Sequence, residues 1–126
     1  MRIVYSMWKT ILLITIMMLV LDAIYLTATR SIFGEVVAKI QRVAIQMRVE
    51  GAIVVYALLV LGLYKFIISE RRPVKDAAIL GLVIYGVFDF TNYAMFKNYD
   101  LATALMDTAW GTTLMALTTY LVYQVM

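Results

Sequence analysis

Residues 85–111 read YGVFDFTNYAMFKNYDLATALMDTAWG, and this stretch decides the fold. An apolar segment ends near Met95, and another begins at Leu101 after the short polar turn Lys97–Asp100. Each flanking segment is long enough to cross a membrane, which takes about 20 apolar residues. A turn this short requires the two helices to be antiparallel neighbours. The stretch therefore predicts a transmembrane helical hairpin.

Composition extends this prediction to all 126 residues of the chain, of which 64% are hydrophobic. The mean hydropathy is +0.90, which is too high for a soluble domain of this length. Long apolar runs occupy residues 8–28, 51–68, 74–95 and 101–123. We therefore expect an all-α, multi-pass membrane protein in which residues 1–126 form a single domain of four antiparallel transmembrane helices.

An amphipathic segment lies between the first and second runs, at residues 29–50. Apolar residues recur at helical spacing from Ile32 to Met47, against polar residues that include Lys39 and Arg42. The pattern predicts an amphipathic helix. It fits either a helix that lies on the lipid headgroups or an extension of the second span.

The distribution of positive charge bears on orientation. The 11 Lys and Arg residues divide almost evenly, about six on the side of both termini and about five on the other. The pair Arg71 and Arg72 lies in a short loop on the terminal side, which favours cytoplasmic termini. An even division also fits an antiparallel, dual-topology dimer. The second run presents mainly Val, Leu and Ile, so we expect a homo-oligomer, most simply a dimer.

The chain contains no cysteine and no histidine. Thiolate nucleophiles, disulfide exchange and histidine-ligated metals are therefore excluded, and any catalysis would use Asp, Tyr, Thr, Lys or Asn. No cofactor is predicted, and a metal ion is left open. The net charge of +3 fits contact with anionic lipid headgroups in the bilayer, and no basic stripe predicts a nucleic-acid partner.

Three aspartates lie inside the apolar runs, and they are the main functional clue. Asp22, Asp89 and Asp107 each lie about six residues, or about 9 Å, from the same membrane face. An intramembrane carboxylate costs several kcal/mol, so it normally faces the interior of a helix bundle and indicates a functional site. Three clustered carboxylates also need a proton, a metal or an arginine, for which Arg48 is the candidate.

Helical spacing adds polar and aromatic neighbours to each carboxylate. Tyr25 shares a face with Asp22, and Tyr85 shares one with Asp89. The full candidate site comprises Asp22, Tyr25, Tyr85, Asp89, Thr91, Asn92, Asp107 and Trp110. Other aromatic residues near the ends of the runs, including Tyr93 and Tyr99, are expected to form interfacial belts without a chemical role.

Three motifs carry a resemblance to a known family: LDAIYL at residues 21–26, DFTN at residues 89–92 and DTAWG at residues 107–111. With these motifs the whole chain resembles a family of small, mainly bacterial, predicted membrane proteins that is catalogued as a domain of unknown function. The resemblance implies a four-helix membrane protein whose functional centre lies at the motif positions. Phe88 stands where the family usually has tyrosine.

Three classes of function are compatible with these residues. The acidic cluster could bind or transport a proton, a cation or a small cationic substrate. The chain could instead be a structural or accessory subunit, in which polar residues join helices. A metal-assisted lipid-modifying enzyme would use two of the aspartates to hold a divalent ion against a phosphate.

Overall fold

A computed structural model describes residues 6–41 and 48–126 of the chain. These residues form four helices: α1, Met7–Gln41; α2, Val49–Leu63; α3, Val74–Met95; and α4, Leu101–Val125. A π-helical turn, Tyr64–Ile68, continues α2. No strand occurs within the two described ranges, which confirms the all-α class.

Helix α1 is longer than the sequence predicts. The predicted boundary at Ala28 is wrong, because α1 continues unbroken for 35 residues to Gln41. At that boundary the Thr29 hydroxyl donates a 2.8 Å hydrogen bond to the Tyr25 carbonyl inside the helix. No proline interrupts the segment, so the change from apolar to polar residues alters the environment but not the backbone. Residues 42–47 of the predicted amphipathic helix lie outside the described residues.

The loop between α2 and α3 lies where the sequence places it, and the C-terminal part of α4 closes over it. Arg71 adopts a left-handed backbone conformation with φ 55°. The Tyr123 hydroxyl donates a 2.7 Å hydrogen bond to the Arg72 carbonyl and lies 3.4 Å from the Ile67 carbonyl. Carbonyls at a helix end need such partners. Tyr123 therefore ties the end of α4 to the end of α2.

Helices α3 and α4 are connected by a tight turn and pack closely. The Asp100 carboxylate caps α4 by accepting a 2.7 Å hydrogen bond from the Thr103 backbone amide. Further along, Gly81 of α3 lies against the backbone carbonyl of Gly111, and the Tyr85 ring covers Gly111. A Cβ atom at either glycine would overlap these atoms, so the two glycines permit the close approach.

Helix α4 is the central helix of the molecule. Ten of its residues are buried, against three in α3, and it packs against both α3 and α1. The buried face of α1 is a single stripe at intervals of four residues: Thr10, Ile14, Met18 and Asp22. This stripe places Asp22 among the side chains of the core.

Three stretches are long and apolar enough to cross a membrane: Met7–Ile32, Val49–Ile68 and Val74–Met95. Helix α4 is less apolar because it carries Asp107 and several threonines. Those polar residues are largely buried, including Thr103, Thr108, Thr118 and Thr119. The buried face of α4 can carry such side chains, since on that face they do not meet lipid.

Candidate functional site

The three intramembrane aspartates are all buried in the interior. Their exposed fractions are 6% for Asp22, 0% for Asp89 and 7% for Asp107. Asp22 ends the buried stripe of α1, Asp89 lies near the end of α3, and Asp107 lies near the start of α4. Burial of a carboxyl group is costly unless hydrogen-bond donors or charges compensate it, so their partners decide what the site can do.

Asp22 joins three helices. The Trp110 indole Nε1 of α4 donates a 2.9 Å hydrogen bond to Oδ1 of Asp22. The Tyr56 hydroxyl of α2 donates to the other oxygen, Oδ2. Both carboxyl oxygens therefore have a donor from a different helix. The sequence prediction did not include Tyr56, because its neighbours along α2 are apolar.

Asp89 is held by the turn and by α4. The Tyr99 hydroxyl donates a 2.7 Å hydrogen bond to Oδ1, and the Thr108 hydroxyl lies 3.4 Å from Oδ2. Tyr99 is 6% exposed, so the prediction that it belongs to an interfacial belt is wrong. Burial and the adjacent Asp89 carboxylate raise the pKa of Tyr99, which keeps its phenol protonated as a donor.

Asp107 differs from the other two because one of its neighbours is itself an acid. The Tyr25 hydroxyl donates a 3.2 Å hydrogen bond to Oδ1 of Asp107. The carboxyl groups of Asp89 and Asp107 are also close neighbours, near enough to form a hydrogen bond when one of them carries a proton. The Tyr25 ring stacks on Trp110 with centroids 4.7 Å apart and an interplanar angle of 3°. This stack links the Asp107 environment to that of Asp22.

The remaining predicted residues divide into two groups. Tyr85 packs on Gly111, and Asn92 hydrogen-bonds with the Tyr99 side chain, so both border the cluster. Thr91 is exposed, and the structure does not bring it to the carboxyl groups. Residues two apart on a helix point in different directions, which separates Thr91 from Asp89. Thr108, from the DTAWG motif, supplies the hydroxyl instead.

A family model described as Predicted membrane protein (DUF2177) matches residues 7–124. The chain belongs to the DUF2177 family. This match confirms the resemblance seen in the sequence, and it includes all three buried aspartates of this DUF2177 member. No curated protein and no solved structure matches the chain.

Basic residues do not neutralise the cluster within the described part of this DUF2177 chain. An ion pair away from the cluster joins Arg72 to Asp76 at 3.5 Å, in and beside the loop that follows α2. Arg48 is exposed at the start of α2, and the structure does not pair it with an aspartate. The same two ranges contain no group of three or more acidic residues arranged to hold a metal ion.

A cavity of about 240 Å³ opens between α2 and α3 of this DUF2177 protein and reaches Asp107. Its lining consists of Val55, Leu59, Ile84, Tyr85, Phe88 and Asp107. Five of these six side chains are apolar or aromatic, and Asp107 carries the one carboxyl group. The site therefore combines a hydrogen-bonded acidic interior with an apolar opening beside it.

Proposed function

We propose that this membrane protein binds a proton or a cation at the carboxyl groups of Asp89 and Asp107. The observation that supports the proposal is their contact in a buried site, where the described residues supply hydroxyl and indole donors but no positive charge. Transport of the bound ion across the membrane is the extension of this proposal, as it was in the sequence-based hypothesis.

The hydrogen-bond donors around the three acids support the contact between Asp89 and Asp107 as the location of the proton or cation. Asp22 receives one donor on each oxygen, from Trp110 and Tyr56, and these bonds need no proton from Asp22 itself. Asp89 likewise has a hydroxyl close to each oxygen. If both carboxyl groups were ionised, they would have no proton to share and would repel each other. The Asp89–Asp107 contact therefore requires one proton or a cation.

The proposal includes four antiparallel spans, with α4 crossing the membrane at the centre of the others. The order of contacts supports it. Asp89 of α3 contacts Thr108, whereas Gly81, earlier in α3, contacts Gly111, later in α4. Such opposite order is typical of antiparallel neighbours. The 25 residues of α4 would span about 37 Å, which exceeds the hydrocarbon core of about 30 Å.

Orientation, domain organisation and assembly are proposed on sequence grounds. Arg71 and Arg72, in the exposed loop before α3, favour cytoplasmic termini. The residues 1–126 would form one domain. Exposed apolar side chains along α2, such as Leu58 at 62% and Leu61 at 57%, suit lipid or the same helix of a second copy.

A structural or accessory role is the second candidate, and one observation favours it. The hydrogen bonds of Asp22 and Asp89 run between helices or to the connecting turn, so they also fasten the bundle together. Intramembrane hydrogen bonds of this kind contribute about 0.6–2 kcal/mol each. In this alternative the cluster would hold helices in place without exchanging an ion.

The substitution Asp107→Asn separates the two candidates, because it keeps the shape of the side chain and removes the titratable group. We expect the melting temperature of the purified parent to respond to pH, Na⁺ or a divalent ion, because a ligand stabilises the native state that binds it. Asp107→Asn should fold but lose that response. Asp76→Asn, at the partly exposed ion pair with Arg72, serves as the matched control and should keep it.

The melting temperature of the parent should change with pH in a defined direction. Removal of the shared proton leaves two anions in contact, so the melting temperature of the parent should fall once the pH is high enough to remove it. The same responses in parent and Asp107→Asn would reject the ion site and favour the structural role.

A further inference from the structure

The cavity between α2 and α3 has an exposed mouth and a buried floor. Val55 and Phe88 are 53% and 59% exposed and stand at the mouth, on α2 and α3 respectively. Leu59 and Asp107 are both 7% exposed and form the floor. In a bilayer this mouth faces sideways between two helices, so a ligand dissolved in the membrane has a direct path to Asp107.

The lining of the cavity defines the chemistry of a ligand. Val55, Leu59 and Ile84 favour an apolar body. Tyr85 and Phe88 offer aromatic rings, which attract cations through the ring quadrupole. At the floor, the Asp107 carboxyl group is the complement of a positive charge. Apolar walls and rings with a single acid at the bottom match an amphiphilic cation.

From this arrangement we infer that the cavity binds a small organic cation with an apolar body, such as a quaternary ammonium compound. The inference rests on the proposed function, since the cation would occupy the same Asp107 carboxyl group, and it names the class of ligand. The volume of about 240 Å³ is below the ~300–1,000 Å³ of pockets that enclose drug-sized molecules. The ligand is therefore small, or only its charged end enters.

Binding requires a proton to leave. In the proposed function, Asp89 and Asp107 share one proton when no cation is bound. A permanent cation that reaches Asp107 pairs with its carboxylate, so the O–H bond breaks and the proton passes to the buffer. No covalent bond forms to the ligand. An acyl chain of a lipid would fill the apolar walls too, but it would neither need the carboxyl group nor displace its proton.

The experiment uses benzyltrimethylammonium as the probe and neopentylbenzene, in which carbon replaces the nitrogen, as its uncharged isostere. The full chain is purified in an uncharged detergent, and melting temperature and pH change are recorded as each compound is added. We expect the cation to raise the melting temperature and release about one proton per molecule bound. The isostere should release none.

Three variants locate the binding site. Asp107→Asn removes the acid and should weaken cation binding by more than about tenfold. Val55→Phe fills the mouth while leaving every carboxyl group in place, and it should also abolish the response. Val54→Phe is the matched control, since Val54 is similarly exposed at 55% on the same helix but does not line the cavity. It should bind like the parent.

Each outcome of this binding experiment leads to one conclusion. A cation response that disappears in Asp107→Asn and Val55→Phe and persists in Val54→Phe supports the inference. Equal stabilisation by both compounds, retained in Asp107→Asn, overturns it in favour of an acyl-chain groove. A response to pH or Na⁺ that depends on Asp107, without any response to benzyltrimethylammonium, overturns the inference and leaves the proposed function standing. The absence of any Asp107-dependent response to pH, Na⁺ or benzyltrimethylammonium rejects both the inference and the proposed function.

Discussion

The hydroxyl of Tyr99, in the turn between α3 and α4, donates a 2.7 Å hydrogen bond to the fully buried carboxyl group of Asp89. Tyr99→Phe removes this donor and leaves the oxygen without it. We expect a loss of about 1–3 kcal/mol in the free energy of unfolding, measured by denaturation in detergent. Tyr93→Phe, at a tyrosine that is 44% exposed, should cost much less. Equal losses would contradict a special role for Tyr99.

The same phenol predicts a dependence on alkaline pH. Burial and Asp89 raise the pKa of Tyr99 above the ordinary value of 10.0. A raised folded-state pKa gives stability that is complete below the unfolded-state pKa and is lost as the pH rises through the folded-state pKa. The parent should therefore lose stability more steeply than Tyr99→Phe above about pH 10. Parallel curves for the two proteins over that range would show that the prediction is wrong.

Glycine packing between α3 and α4 gives a third prediction. Gly81→Ala places a methyl group on the Gly111 carbonyl, where backbone must move, and should destabilise the protein by about 1–3 kcal/mol. Gly62→Ala is the control, because a Cβ atom there meets nothing within 4 Å. Alanine at that helical position should stabilise by about 0.5–1 kcal/mol. Thermal unfolding of the two variants measures both effects, and a harmless Gly81→Ala would refute the close contact.

The transmembrane path of α4 can be tested by labelling, because the chain has no cysteine of its own. Lys97→Cys and Gln124→Cys introduce single thiols at exposed positions near the two ends of α4. If α4 crosses the bilayer, a membrane-impermeant thiol reagent should label one variant from outside sealed vesicles and the other only after the vesicles are opened. Labelling of both from the same side would reject four spans.

Self-association through α2 is the fifth prediction. Light scattering of the detergent-solubilised protein should give the mass of a dimer. Leu58→Asn, in the exposed apolar face of α2, should reduce that mass toward the monomer. Leu105→Asn, at a 54% exposed leucine of α4, should not. A strictly monomeric parent would contradict the proposed homodimer.

Much of this fold could be read from the sequence because strong local signals mark the element ends. The run 74–95 matches α3, and the turn from Lys97 to Asp100 precedes the start of α4 at Leu101. The end of α1 was not predictable in the same way. Polarity changes after Ala28, but nothing in the backbone chemistry stops the helix there.

The sequence identified the three aspartates that the structure buries, but it identified only some of the side chains that donate hydrogen bonds to them. Spacing within one helix identified Tyr25 and Trp110 as site residues, but each donates to an aspartate on a different helix from its own. Spacing also could not show that Tyr56 and Tyr99 reach Asp22 and Asp89. One signal was available. A tyrosine in an apolar helix or a four-residue turn needs a partner for its hydroxyl when it is buried, and acids were the obvious unfilled acceptors.

The central position of α4 has a consequence for how the protein is made. Helix α4 is synthesised after α1, α2 and α3, so these three helices leave the ribosome before α4 exists. During that interval Asp22 has Tyr56 but not Trp110, and Asp89 lacks Thr108. The newly inserted helices must therefore hold these acids near the aqueous surface or beside other hydrogen-bond donors until α4 is made. The bonding of Asp22 and Asp89 is therefore completed only after α4 has been made.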